Sequence, residues 1–220
     1  MATAARRRLL ECYGGAVRRY LRRVLHDADA ADEVFQEFAV RLLHGDLRGA
    51  DPNRGRFRDF VKGTLLHLVA NHRKRQQRWP SPLPADGLAV VAESADGEFD
   101  GEFADSWRDE LLARAWSALA AADEGSGHPF SVVLRFRADH PEMRSPEMAE
   151  HLAVEIGRPL TAAGVRQVLH RAREKFAELL LIEVGRVLDD PSPEAVEQEL
   201  ADLNLLDYCR PALDRQALMA

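Results

Sequence analysis

The chain has 220 residues, 46% hydrophobic and 30% charged, with a formal net charge of −6. That balance suits a globular chain with a substantial core and excludes a disordered or collagen-like one. Its two cysteines, Cys12 and Cys209, form no CxxC pair, which excludes a cysteine-built zinc site or disulfide framework and fits a reducing cytosol. No run approaches about 18 apolar residues, and no signal-peptide pattern follows the basic N-terminus. The expectation is a cytoplasmic protein without membrane insertion.

The net charge conceals an asymmetry. From Arg54 to Arg78 there are eight basic residues and one acid, Asp59, whereas Asp86 to Asp105 holds seven acids and no base. Such blocks suggest a polyanion-binding face beside an acidic, solvated segment.

In chain order, Leu10, Tyr13, Val17, Tyr20, Leu21 and Val24 repeat at helical spacing. A second helix is expected from Asp29 as N-cap, burying Val34, Phe38 and Leu42. Asp32 and Glu33 fall in its first turn, where the helix dipole favours acids. Asp32, Glu33, Gln36 and Glu37 are either capping charges or a docking face for a basic partner. "ADPNRGR" over 50–56 is a turn signal. A long third helix places Phe57, Phe60, Val61, Thr64, Leu65, Leu68 and Val69 on one side, then runs into "ANHRKRQQRW". Asn71, Arg73, Lys74, Arg75 and Arg78 lie past its core-facing part. Cations beside aromatic or apolar groups suit unstacked bases and single strands, although a solvated helix end would read the same way.

"PSPLPADG" ends that unit, because its prolines cannot continue a helix. Residues 81–106 are acidic and poor in large apolar side chains, and read as an extended linker. Periodicity returns with Trp107, Leu111, Leu112, Trp116 and Leu119, and a short helix is expected over Phe130 to Ala138. Ser145-Pro146-Glu147 is a helix start with Ser145 as cap, Met148, Leu152 and Ile156 form the apolar line, and Gly157-Arg158-Pro159 is the break. Thr161 then caps a helix whose Val165, Val168, Leu169, Ala172, Phe176, Leu179 and Leu180 share one face. Arg166, Gln167, His170 and Arg171 point away from it, with Arg173 and Lys175 towards the edges. Two helices joined by a short turn, the second with an outward basic face, form a helix-turn-helix. Arginine and glutamine near the N-terminus of such a helix can reach base edges, and cations further along can neutralise phosphates. In the tail, Ser192-Pro193-Glu194 starts a short helix carrying Val196, Leu200 and Leu203. This extension is expected either to pack back on the second domain or to cover the recognition helix.

No GxxxxGK[ST], GxGxxG or HExxH motif occurs. His67 and His72 have the wrong spacing for joint ligation. The reading is therefore not an enzyme, with no metal and no cofactor.

Taken together, these stretches resemble a bacterial RNA polymerase sigma factor of the sigma-70 superfamily, in its two-domain extracytoplasmic-function group. "AADEVFQEFAVRLL" resembles region 2.2, "GRFRDFVKGTLLHLVANHRKR" resembles regions 2.3 and 2.4, and "SPEMAEHLAVEIGRPLTAAGVRQVLHRAREKFAELL" resembles region 4.2. Phe60 stands where the family often has tryptophan, and "GRPLTAAG" lengthens the turn. The resemblance implies an all-α fold: a region 2-like domain over 1–80, a flexible acidic linker over 81–106, a region 4-like helix-turn-helix domain over 107–188 and a C-terminal extension over 189–220. It implies that Asp32, Glu33, Gln36 and Glu37 dock on core RNA polymerase. Asn71, Arg73, Lys74 and Arg75 would meet the opening −10 strand, and Arg166, Gln167, His170, Arg171 and Arg173 the −35 duplex. The partners would be core polymerase, promoter DNA and an anti-sigma factor or other regulator. From the residues alone, a stand-alone helix-turn-helix regulator and a helical protein-interaction adaptor stay open.

Overall fold

The computed structural model describes residues 3–44, 57–78, 91–188 and 191–219. Side chains are described within 6–44 (Arg8 excepted), 57–76, 101–188 and 191–218. Every regular element among the described residues is helical: α1 (Thr3–Leu25), α2 (Ala28–His44), α3 (Phe57–Arg78), α4 (Val91–Ser126), α5 (Phe130–Asp139), α6 (Ser145–Ile156), α7 (Ala162–Gly185), α8 (Pro193–Asp202) and α9 (Leu206–Met219). The all-α expectation holds. The expected turn at 50–56 lies outside the described residues.

The chain divides into two compact units, Met1–Glu110 with Val187–Pro191, and Leu111–Arg186 with Ser192–Ala220. In the first, α1 packs on α2 and α2 on α3. Tyr13, Val17, Tyr20, Leu21 and Val24 from α1 meet Val34, Phe38 and Leu42 from α2 and Phe57, Val61, Leu65 and Leu68 from α3, all buried. Phe60 and Thr64 of the expected stripe are half-buried. The cap of α2 is two residues earlier than Asp29: the Asp27 carboxylate accepts from the Asp29 and Ala30 amides at 2.9 and 3.2 Å. Asp27 can do this because it stands outside the helix, whereas Asp29 already lies within its first turn.

The expectation of an extended linker over 81–106 is amended from Val91 onward, where the chain is helical. Phe103, Trp107 and Leu111 recur every four residues, which is an apolar helical stripe. Phe103 and Trp107 are buried in the first unit. Trp107 stacks on Tyr13 with centroids 4.5 Å apart and lies 6.4 Å from Phe57, and Phe103 meets Tyr20 edge-on at 5.2 Å. Acids dominate this stretch in number, but two large aromatics set its structure. The first compact unit accordingly takes in residues up to Glu110.

In the second unit α7 is the central element, contacting α5, α6, α8 and α9. Its buried line is Val165, Leu169, Ala172, Phe176 and Leu180, as the periodicity predicts, while Val168 and Leu179 are half-buried. The second half of α4 packs here through Trp116, whose ring lies 4.7 Å from Phe176. Arg114 donates to the buried Glu183 carboxylate at 2.7 Å, and Arg186 binds its other oxygen, so the buried charge is compensated. The Asp123 carboxylate accepts from the Ser131 amide at 2.6 Å and fixes the start of α5.

Candidate nucleic-acid interfaces

The helix-turn-helix is built from local chemistry. Pro146 sits in the first turn of α6, and the Glu147 carboxylate accepts from the Arg144 amide at 3.1 Å. The N-cap is Arg144, not Ser145, which is the first helical residue, and the Glu147 carboxylate returns to the cap residue's own amide in a capping box. Gly157 ends α6 at φ 72°, a left-handed conformation that favours glycine. The Thr161 hydroxyl accepts from the Gly164 amide at 3.0 Å and caps α7 as the sequence predicts.

With α7 fixed by its apolar line, Arg166, Gln167, His170, Arg171 and Arg173 are all exposed. His170 Nε2 lies 3.6 Å from the Glu174 carboxylate, which also accepts from Arg215 of α9 at 2.8 Å. The Tyr208 hydroxyl donates to the Arg173 carbonyl at 3.4 Å, and its ring meets Phe176 edge-on at 6.0 Å. The tail thus packs against the middle of α7 and leaves Arg166, Gln167, His170 and Arg171 exposed. Burial, then the neighbouring Cys209, pushes the Tyr208 hydroxyl up to about 12, opposed by Arg173. Burial pushes the Cys209 thiol up to about 11.

In the first unit, Asp32, Glu33, Gln36 and Glu37 lie one turn apart in pairs on α2, with Glu33 and Gln36 exposed and Asp32 and Glu37 half-buried. The four α3 residues are not equivalent. Lys74 and Arg75 are exposed, Asn71 is half-buried, and Arg73 donates through its guanidinium to the Val24 carbonyl at 3.1 Å. The structure also brings the two sets together. Arg75 donates to the Glu37 carboxylate at 3.0 Å, and Glu37 accepts from Arg41 as well. His72, only 5% exposed, sits 3.8 Å from Glu33 through Nδ1 and 3.0 Å from Gln76 through Nε2. Sequence reasoning set His72 aside for its spacing to His67. Its position one turn before Gln76 was the available signal.

Among the described residues no group of three or more His, Cys, Asp or Glu side chains could hold a metal ion, and no helix is long and apolar enough to cross a membrane. No curated protein and no solved structure matches the chain. Residues 9–79 match the family described as sigma-70 region 2. That stretch takes in α1 from Leu9, all of α2 and α3, and so every one of the α2 and α3 site residues above. Residues 9–79, about a third of the chain, are thus similar to sigma-70 region 2, which supports a role in RNA polymerase binding and promoter melting.

Proposed function

We propose that this chain is an alternative sigma factor of the extracytoplasmic-function group, which binds core RNA polymerase in the cytoplasm and directs initiation at promoters with particular −10 and −35 elements. The observation that carries the reading is the region 2 match over residues 9–79. It is supported by an independent helix-turn-helix in the second unit whose recognition helix exposes Arg166, Gln167, His170, Arg171 and Arg173.

In this reading Asp32, Glu33, Gln36 and Glu37 dock on polymerase. Asn71, Lys74 and Arg75 meet the opening −10 strand, where extruding a base costs a few kcal/mol and contacts offset that cost. Arg73 acts at the same edge through its position, its guanidinium being held by Val24. The α7 residues read and anchor the −35 duplex. The factor catalyses nothing itself, needs no cofactor, and is a target for an anti-sigma factor or other regulator. A net charge of −6 opposes free DNA binding. Polymerase supplies the missing affinity by tethering both units to one promoter, so that two weak contacts act together.

The test is specific transcription by purified protein added to core polymerase on the upstream region of its own gene. A defined start site that depends on the added protein supports the reading. Failure to bind core overturns it, and half-site duplex binding without polymerase would favour a stand-alone regulator.

A further inference from the structure

The region 2 reading leaves the outer face of α1 without a role. Arg19, Arg22 and Arg23 fall at i, i+3 and i+4 there, so they share one side of the helix. Acids of α4 already sit on this row. Arg19 donates to Glu110 at 2.7 Å and to the Ser106 carbonyl at 3.3 Å. Arg23 donates to Glu102 at 3.3 Å and to the Ser106 hydroxyl at 3.5 Å, and lies 3.8 Å from Asp109. Arg22 is exposed. The approach is close: a Cβ on Gly15 would meet the Glu110 carboxylate at 2.6 Å.

We propose that Arg19, Arg22 and Arg23 form a further phosphate-binding edge, and that Glu102, Asp109 and Glu110 hold its affinity down. The ligand is the phosphodiester backbone of a nucleic acid. Three observations carry this. First, Arg23 is 43% exposed and its partners Glu102 and Asp109 are 42 and 45% exposed, so those pairs are weak and screened by salt, while Arg19 is 40% exposed over a more buried Glu110 at 17%. Second, α4 is held by the buried Phe103 and Trp107 rather than by these pairs, so the guanidinium groups can exchange partners without unfolding the unit. Third, carboxylate oxygens occupy hydrogen-bond positions on guanidinium forks that suit phosphate oxygens equally well. A row of cations along one helix face fits a linear polyanion better than a compact acidic surface.

The experiment uses the full chain and labelled single-stranded and duplex DNA of unrelated sequence, with affinity followed by fluorescence anisotropy across a salt series. It needs neither polymerase nor a promoter, so it stands or falls apart from the sigma reading. The variant Glu102→Gln/Asp109→Asn/Glu110→Gln is expected to bind roughly tenfold more tightly at low salt. Its plot of log affinity against log salt should steepen by about one to two, the mark of one or two added phosphate contacts. Adding Arg19→Gln and Arg23→Gln should abolish that gain, while the same two changes in the otherwise unaltered chain should lower affinity much less. Should the arginine changes cost the same factor with and without the acids, the gain is a whole-chain charge effect and the proposal fails. It fails too if polyglutamate displaces the probe as well as unlabelled DNA does, since an acidic protein would then be the better ligand. If the triple variant loses helicity, Glu102→Gln alone carries the same cycle with a smaller increase.

Discussion

The Arg75 guanidinium lies 3.0 Å from the Glu37 carboxylate, so the end of α3 and the acidic face of α2 neutralise each other in the free chain. Glu37→Gln should therefore move two readouts in opposite directions. Binding of a −10 single strand by the free protein should tighten several-fold, because Arg75 loses its competitor, while affinity for core polymerase should fall. Stability should change by no more than about 1 kcal/mol, as befits partly exposed pairs. Anisotropy with labelled strand and a core-binding titration check this, and a parallel loss of both would mean Glu37 serves the fold alone.

Arg171→Ala with Arg173→Ala should leave the fold intact, because both side chains are exposed and the bond from Tyr208 goes to the Arg173 backbone. Transcription that depends on the −35 element should fall at least tenfold, on the order of 1–3 kcal/mol for a lost base or phosphate contact. Core binding should be unchanged. Equal loss of both activities would indicate misfolding.

Gly157 and Thr161 set where α7 begins. Gly157→Ala should cost about 1 kcal/mol for placing a side chain at φ 72°, and Gly157→Asn less. Thr161→Ala should cost about 1 kcal/mol of cap energy, with Thr161→Ser close to neutral. Denaturant melts of the second unit's near-ultraviolet signal would measure each.

Alkali should loosen the second unit. In the fold Cys209 ionises at about 11 and Tyr208 at about 12, against ordinary values of 9.0 and 10.0. Between the ordinary and raised values the folded chain binds more protons than the unfolded one, so stability falls as pH rises. The contribution is complete below about pH 9 and declines from there to about pH 12. Cys209→Ala should flatten the lower part of that decline in a series of thermal melts. The native thiol should also resist alkylation at pH 8 until the chain is unfolded.

Deleting residues 189–220 distinguishes a buttress from a cover. The tail buries Leu200, Leu203, Leu205, Cys209 and Ala212, and sets Tyr208 against Phe176. The expected result is a lower melting temperature, with no gain in duplex affinity. A stable truncated chain that binds duplex more tightly would mean that the tail masks the recognition helix.

Long apolar periodicities were fully legible in the sequence. The lines through Val165 to Leu180 and Tyr13 to Val24 fall where the spacing puts them, because one helix face must be buried. The α4 helix was not legible in the same way. Counting seven acids between Asp86 and Asp105 obscured the four-residue recurrence of Phe103, Trp107 and Leu111, and two buried aromatics outweigh several solvated carboxylates. Caps were misplaced at Asp29 and Ser145: Asp27 serves the first amides of α2 from two residues earlier, and at α6 the Glu147 carboxylate binds the amide of Arg144, the residue before Ser145. Of the site residues, exposure on α7 followed directly from periodicity. The bonds from Arg73 to Val24 and from Arg75 to Glu37 join segments 49 and 38 residues apart, and no local pattern encodes them.

The bond from Arg73 to the Val24 carbonyl also acts as an angular stop. A helix advances about 100° per residue, so this bond, together with the buried Phe57, Val61, Leu65 and Leu68, fixes the azimuth of every other side chain of α3. Lys74 and Arg75 inherit their headings from it. A slip of one residue would swing both cations a quarter-turn or more around the axis. The basic end of α3 is thus indexed before any partner arrives, and an arginine that looks like a ligand contact in the sequence serves as the pin that aims its neighbours.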